Sequence, residues 1–147
     1  MKLLAFTDVH SDLDSIFEIT KKAKKEKVDF LVCAGDITNF GSNFNLLINK
    51  FDIGIPLLII PGNHELPKQI IIAEKKFKFV HNIHGKIFSS NSTIFFGCGG
   101  SSFTPFHTPH ELKKENFKDI LKFNEIEKKL IFVVHEPPFN TKLDLLD

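Results

Sequence analysis

Apolar runs alternate along this chain with polar, helix-forming stretches, and each apolar run stops at an acidic, amide or imidazole side chain. The runs at 2–7, 29–34, 56–60 and 130–134 are short and apolar through their centres. Runs of this kind read as strands buried on both faces, because a half-exposed strand would alternate apolar with polar residues. The stretch between the first two predicts a helix. Ser11 with Asp14 three residues on suggests a capping box, and Leu13, Ile16, Phe17 and Ala23 recur at helical spacing as far as Lys27. Shorter helices are expected over 42–50 and 66–76, the second weakened by three consecutive isoleucines. Residues 86–88 and 93–96 read as paired strands around a Ser-Ser-Asn-Ser turn. After a Gly/Ser/Thr/Pro loop over 97–108, Thr108-Pro109 with Glu111 predicts a second helix start. That helix would run to about Lys128, with Phe117, Ile120, Leu121 and Asn124 along one face. Strands alternating with helices define an α/β fold.

Composition narrows the function classes. The 147 residues fit a single domain, and 19 basic against 18 acidic residues leave a net charge of +1. That balance does not favour nucleic acid or a charged membrane surface as partner. Lys21, Lys22, Lys24, Lys25 and Lys27 read as the solvated C-terminal end of the first helix, where cations are favoured. No run is long enough for a membrane span, and the first is too short for a signal peptide, so a cytoplasmic protein is expected. Two cysteines, Cys33 and Cys98, are too few for a disulfide scaffold and fit a reducing compartment. Cys33 belongs to a strand core, and Cys98 reads as small-residue packing. Every basic residue is lysine, so the chain has no guanidinium fork to grip a phosphate. All 17 aromatic residues are phenylalanine; the absence of tyrosine has no physical account.

Ligands of open α/β sheets bind beyond the carboxyl ends of the strands. Asp8 and His10 follow the first run, Asp36 the second, Asn63 and His64 the third, and His135 the last. Singly, each has a structural explanation as a cap, a turn residue or a hydrogen-bonded core histidine. Four strand ends supplying oxygen or imidazole ligands together point to divalent transition metals. Metal ions would also carry the positive charge that absent arginines cannot.

The ordered series Asp8-Val9-His10, Gly35-Asp36, Gly62-Asn63-His64-Glu65 and His135 resembles the calcineurin-like metallophosphoesterases. Their motifs are DxH, GD, GNH[DE], H and a closing GHxH. The stretches from Gly99 to Glu111 and from His135 to Asp144 look like a small prokaryotic branch of that family. The resemblance implies a four-layer sandwich, two mixed β-sheets flanked by helices. It implies hydrolysis of a phosphodiester or small phosphomonoester by a hydroxide activated between two divalent ions. Manganese comes first among manganese, iron, zinc and nickel. Asp8 and His10 would hold the first ion, Asp36 would bridge, and Asn63 and His135 would hold the second. His64 would face the leaving-group oxygen as general acid, with Glu65 orienting its neighbours.

The closing GHxH has no counterpart in this sequence, and the two pairs His81 with His84 and His107 with His110 stand elsewhere in the order. Both pairs are expected to be surface or structural. The chain therefore reads as a domain incomplete at its C-terminus, without the last strands of the second sheet. Two alternatives follow: a catalytically impaired or purely binding fragment of the same fold, and one half of a split enzyme. Self-association or a missing partner chain is therefore expected, because an unpaired edge and an exposed apolar face invite association.

Overall fold

A computed structural model describes residues 1–113, 128–138 and 141–142. Four parallel strands, β1 (Leu3–Phe6), β2 (Phe30–Cys33), β3 (Leu57–Ile59) and β4 (Val80–Asn82), lie side by side in chain order. Helices α1 (Leu13–Glu26), α2 (Phe44–Asn49) and α3 (Pro67–Lys76) fill the three crossovers. Parallel crossovers are right-handed, so strictly sequential strand order puts every helix on the same face of the sheet. The other face is left for the second sheet. That sheet has the order β5 (Ile87–Ser90), β6 (Thr93–Cys98), β7 (Lys129–Val134), with β5 antiparallel and β7 parallel to β6.

Both-face burial holds for the central strands β2 and β3 but not for the edge strands β1 and β7, where Ala5 and Phe132 are exposed. Leu31, Cys33, Leu57 and Ile59 pack with Ile16, Ala23, Leu47, Ile48, Ile70 and Ala73 in the helical layer. The intervening Val32 and Leu58 point the other way and join Ile60, Ile83, Phe95 and Val133 between the sheets. The strand period of two thus divides one continuous apolar run between two cores. Phenylalanine fills much of the seam. The Phe30 ring lies 5.8 Å from that of Phe88 and 5.7 Å from that of Phe95, while Phe6 stacks on Phe51 at 5.1 Å in the helical layer.

The architecture is the expected mixed α/β fold of two sheets and helices, with differences in detail. The first sheet is parallel throughout its described strands, and only the second is mixed. Strand β4 was not legible, because three residues reading Val-His-Asn give no apolar run. Ser11 does not cap α1. Its backbone is held left-handed at φ 66° and its N–H donates to Ile37 O, so Asp12 takes the role, accepting from the N–H groups of Asp14 and Ser15. On α1 the buried residues are Ile16 and Ala23, while Leu13 and Phe17 face out. The turn between β5 and β6 is Asn91-Ser92 alone, with Asn91 at φ 52°.

The polar half of the second helix start does form. Glu111 accepts from Thr108 N–H at 2.7 Å and from the Thr108 hydroxyl at 2.9 Å. Residues 109–110 nevertheless make a turn, and Glu111 pairs with Ser101 as an isolated strand bridge. The expected helix body with Phe117, Ile120, Leu121 and Asn124 lies outside the described residues. Among the described residues no helix is long and apolar enough to cross a membrane.

Candidate metal centre

The loops after β1 and β2 are zipped together beyond the sheet. Asp8, His10 and Ser11 donate their backbone N–H groups to the carbonyls of Gly35, Asp36 and Ile37. Asp8, His10 and Asp36 all take positive φ, at 56°, 47° and 54°. Such values are uncommon away from glycine and cluster where surrounding structure over-determines a functional geometry. The glycines of the two motifs have a steric purpose. A Cβ on Gly62 would fall on the Asp36 carboxylate, and one on Gly35 (φ 104°) would fall on the Gly62 backbone. Two loops can press together there only without side chains, and Asp36 occupies the room left.

The six predicted residues converge. Asp36 Oδ2 lies 3.8 Å from His10 Nε2, 3.9 Å from His64 Nε2 and 3.6 Å from His135 Nε2. Asp8 Oδ1 lies 3.4 Å from His10 Nε2, and Asn63 Oδ1 lies 2.8 Å from His135 Nε2. Asp36 forms the buried floor, its side chain 3% exposed, whereas Asp8 at 53% and His10 at 37% stand at the open mouth. The other Asp36 oxygen accepts from His64 N–H at 2.9 Å, which fixes the carboxylate plane.

The hydrogen bonds at the far nitrogen assign each imidazole a tautomer. His10 Nδ1 faces Asn39 Oδ1 at 3.0 Å, and Asn39 Nδ2 donates back to His10 O, so Nδ1 carries the proton. His135 Nδ1 faces the Ala34 carbonyl at 2.8 Å and is likewise protonated. In both rings Nε2 is therefore the nitrogen turned toward carboxylate or amide oxygens. Imidazole, carboxylate and amide oxygen form a donor set that fits a divalent transition ion. Donor atoms of Asp8, Asp36 and His135 lie within 4.8 Å of one another, as do those of His10, Asp36 and His64. His64 differs from the other two histidines. Its Nδ1 accepts from Phe40 N–H at 3.3 Å, which leaves Nε2 as the protonated nitrogen, toward Asp36.

Glu65 holds the floor in place. Buried to 1% exposure, it accepts from the N–H groups of Asp36 and Gly62 on one oxygen and from the N–H and hydroxyl of Thr38 on the other. Burial pushes its carboxyl up, and the donors from Thr38 and Gly62 oppose that. The remaining histidines fall as expected, outside the cluster. His81 packs on Phe88 at 4.9 Å, His84 Nδ1 accepts from Gly99 N–H, His110 Nδ1 faces the Gly62 carbonyl, and His107 is exposed. Cys33 and Cys98 are free and buried, and Cys98, the last residue of β6, has its thiol pushed up to about 11 by desolvation. Asn39 and Phe40 touch two of the site imidazoles and were not legible in the sequence. They sit in a loop with no periodic or motif signal.

Two sheets bearing this cluster at their carboxyl ends define an α/β protein with a metal-type acid–imidazole centre. The sequence profile of the calcineurin-like phosphoesterases matches residues 1–145, and the chain belongs to that family. It is 32% identical to an uncharacterized protein of Methanocaldococcus jannaschii, covering 100% of this chain and 66% of that one. It is 31% identical to a protein of Ruthia magnifica subsp. Calyptogena magnifica named as a probable cyclic nucleotide phosphodiesterase, covering 86% of this chain and 54% of that one. The chain thus spans between half and two thirds of these curated relatives. Among solved structures, a Thermus thermophilus protein superposes with a TM-score of 0.78 at 16% identity, over 97% of this chain and 70% of that one. A second superposes with a TM-score of 0.75 at 17% identity, over 95% of this chain and 70% of that one. At these identities the solved structures speak for the fold.

Proposed function

We propose that this chain carries the hydrolytic centre of a metal-dependent phosphoesterase acting on phosphodiesters or small phosphomonoesters. The observation that carries the reading is the convergence of three imidazole Nε2 atoms on Asp36 Oδ2. Asp8, His10 and Asp36 would hold one ion, and Asp36, Asn63 and His135 a second, manganese being the first to test. Bound there, the ions supply positive charge to the phosphoryl oxygens and acidify water at neutral pH. His64 would point its Nε2–H at the departing oxygen and stabilise the charge that develops there, its backbone N–H held by the Asp36 carboxylate. The open side at Asp8 and His10 admits the ester. The name of the Ruthia relative makes phosphodiesters the class to test first, and two buried free thiols suit a cytoplasmic setting.

A second reading rests on the family's two closing histidine ligands, which have no match in this sequence. The chain would then bind one ion weakly without turnover unless a partner chain supplies those histidines. Calorimetry with manganese, iron(II), zinc and nickel, followed by hydrolysis of bis(p-nitrophenyl) phosphate, separates the two. We expect metal binding and hydrolysis. His64→Ala should lower the rate about 10²- to 10³-fold, the range for a lost donor to a developing oxyanion, with metal affinity kept. Asp36→Asn should abolish both. Binding without hydrolysis selects the second reading, and no binding of any of the four ions overturns both.

A further inference from the structure

The geometry points to a device that divides the labour among the histidines: the Asn39-Phe40 segment sets opposite tautomers in His10 and His64. This inference rests on the proposed metal-dependent reading. The two rings are neighbours, their centroids 4.8 Å apart and nearly perpendicular. Both approach Asp36 Oδ2 through Nε2 at almost the same distance, 3.8 and 3.9 Å. Distance to the carboxylate therefore does not tell a metal ligand from a hydrogen-bond donor. The far nitrogens do. Asn39 presents an oxygen to His10 Nδ1, and Phe40 presents an N–H to His64 Nδ1. One residue offers an acceptor and the next a donor, so His10 is left with a lone pair at Nε2 and His64 with a proton there.

The segment is built to hold that arrangement. Phe40 takes φ 50°, a strained value for an aromatic residue, which turns its N–H toward His64. Its ring lies 4.7 Å from the His64 ring while remaining 57% exposed, so burial of the phenyl group does not explain the strain. Upstream, Thr38 is anchored by both its N–H and its hydroxyl on buried Glu65. Downstream, Gly41 N–H donates to the Thr38 hydroxyl and Ser42 N–H to the Asn39 carbonyl. Asn39 itself is tied back by its amide nitrogen to His10 O, which fixes which amide atom faces the ring. Asn39 and Phe40 are positioning residues, acting through the two imidazoles.

Nitrogen-15 spectra of histidine-labelled, metal-free chain at pH 8 test this without relying on turnover. The expected pattern is His10 protonated at Nδ1 and His64 at Nε2. Asn39→Leu should leave His10 in mixed tautomers and weaken manganese binding about 10- to 100-fold, the usual cost of losing an outer partner of a ligating histidine. Asn39→Asp, which keeps an acceptor, should restore the Nδ1–H form. Phe40→Gly keeps the N–H and suits the positive φ, so His64 should stay protonated at Nε2. Both positions are exposed, and thermal melts check that the variants fold. The same tautomer in His10 and His64, an unchanged His10 in Asn39→Leu, or loss of the His64 pattern in Phe40→Gly would each overturn the inference. A chain that binds no metal but shows the expected tautomers would sink the proposed function and leave this assignment standing.

Discussion

At the scale of single residues, Asp36 and Gly62 show how a motif letter becomes geometry. Asp36 is useful because one oxygen is held by the His64 N–H while the other faces three imidazoles. Gly62 matters because any side chain there would occupy the carboxylate's place. Gly62→Ala should therefore displace Asp36 and destabilise the fold by about 2–3 kcal/mol, the upper range for overpacking a close-packed site. Urea denaturation would read the stability, and manganese titration the displaced carboxylate. A variant with native stability and affinity would show that the loops yield at no cost. The motif residues Asp8, His10, Asp36, Asn63, His64 and His135 were all legible as candidates, because each interrupts an apolar pattern at a strand end. Asn39 and Phe40 were not, since one acts through an amide at an exposed loop position and the other through a backbone N–H that any residue carries.

At the scale of elements, the strands were the most legible and the helix ends the least. A strand buried on both faces must be apolar at consecutive positions, and β2 and β3 are. Strand β4 is paired along its whole length with β3, yet its side chains gave no sign of it. Helix ends depend on backbone bonds made by distant loops, as the displacement of the α1 cap from Ser11 to Asp12 shows. The other end of α1 carries a correctable strain. Lys27 closes the helix at φ 50°, its N–H donating to the Ala23 and Lys24 carbonyls. A left-handed cap costs a non-glycine residue about 1 kcal/mol, so Lys27→Gly should raise stability by up to that amount. A higher melting temperature with unchanged metal binding is the expected result. An unchanged or lower one would mean that the lysine charge at the helix end outweighs the strain.

At the scale of the whole molecule, the seam between the sheets decides both the site and the pH response. His135, on the second sheet, donates from Nδ1 to Ala34 on the first, so the centre exists only when the sheets are docked. His84 and His110 sit at the same seam with rings 5.6 Å apart. Burial, and then the neighbouring His110, hold the His84 imidazole down to about 4. Its folded value lies below the unfolded one of about 6.5, so the unfolded chain binds the proton first. The stability this neutral ring contributes is complete above about pH 6.5 and lost progressively as pH falls toward about 4, on the order of 2–3 kcal/mol in total. Denaturation midpoints between pH 7 and 4.5 should fall less steeply in His84→Gln than in the parent chain. Equal slopes would place the acid sensitivity elsewhere. By itself the sequence determined the α/β alternation, the family pattern and the candidate ligands, because buried strands and metal ligands must be written in residue types at fixed places. Only the tertiary structure decided the layer each strand face joins, the fourth strand, and which imidazole offers a lone pair and which a proton. Those depend on backbone groups brought together from distant loops, and backbone groups are the same at nearly every position in a chain.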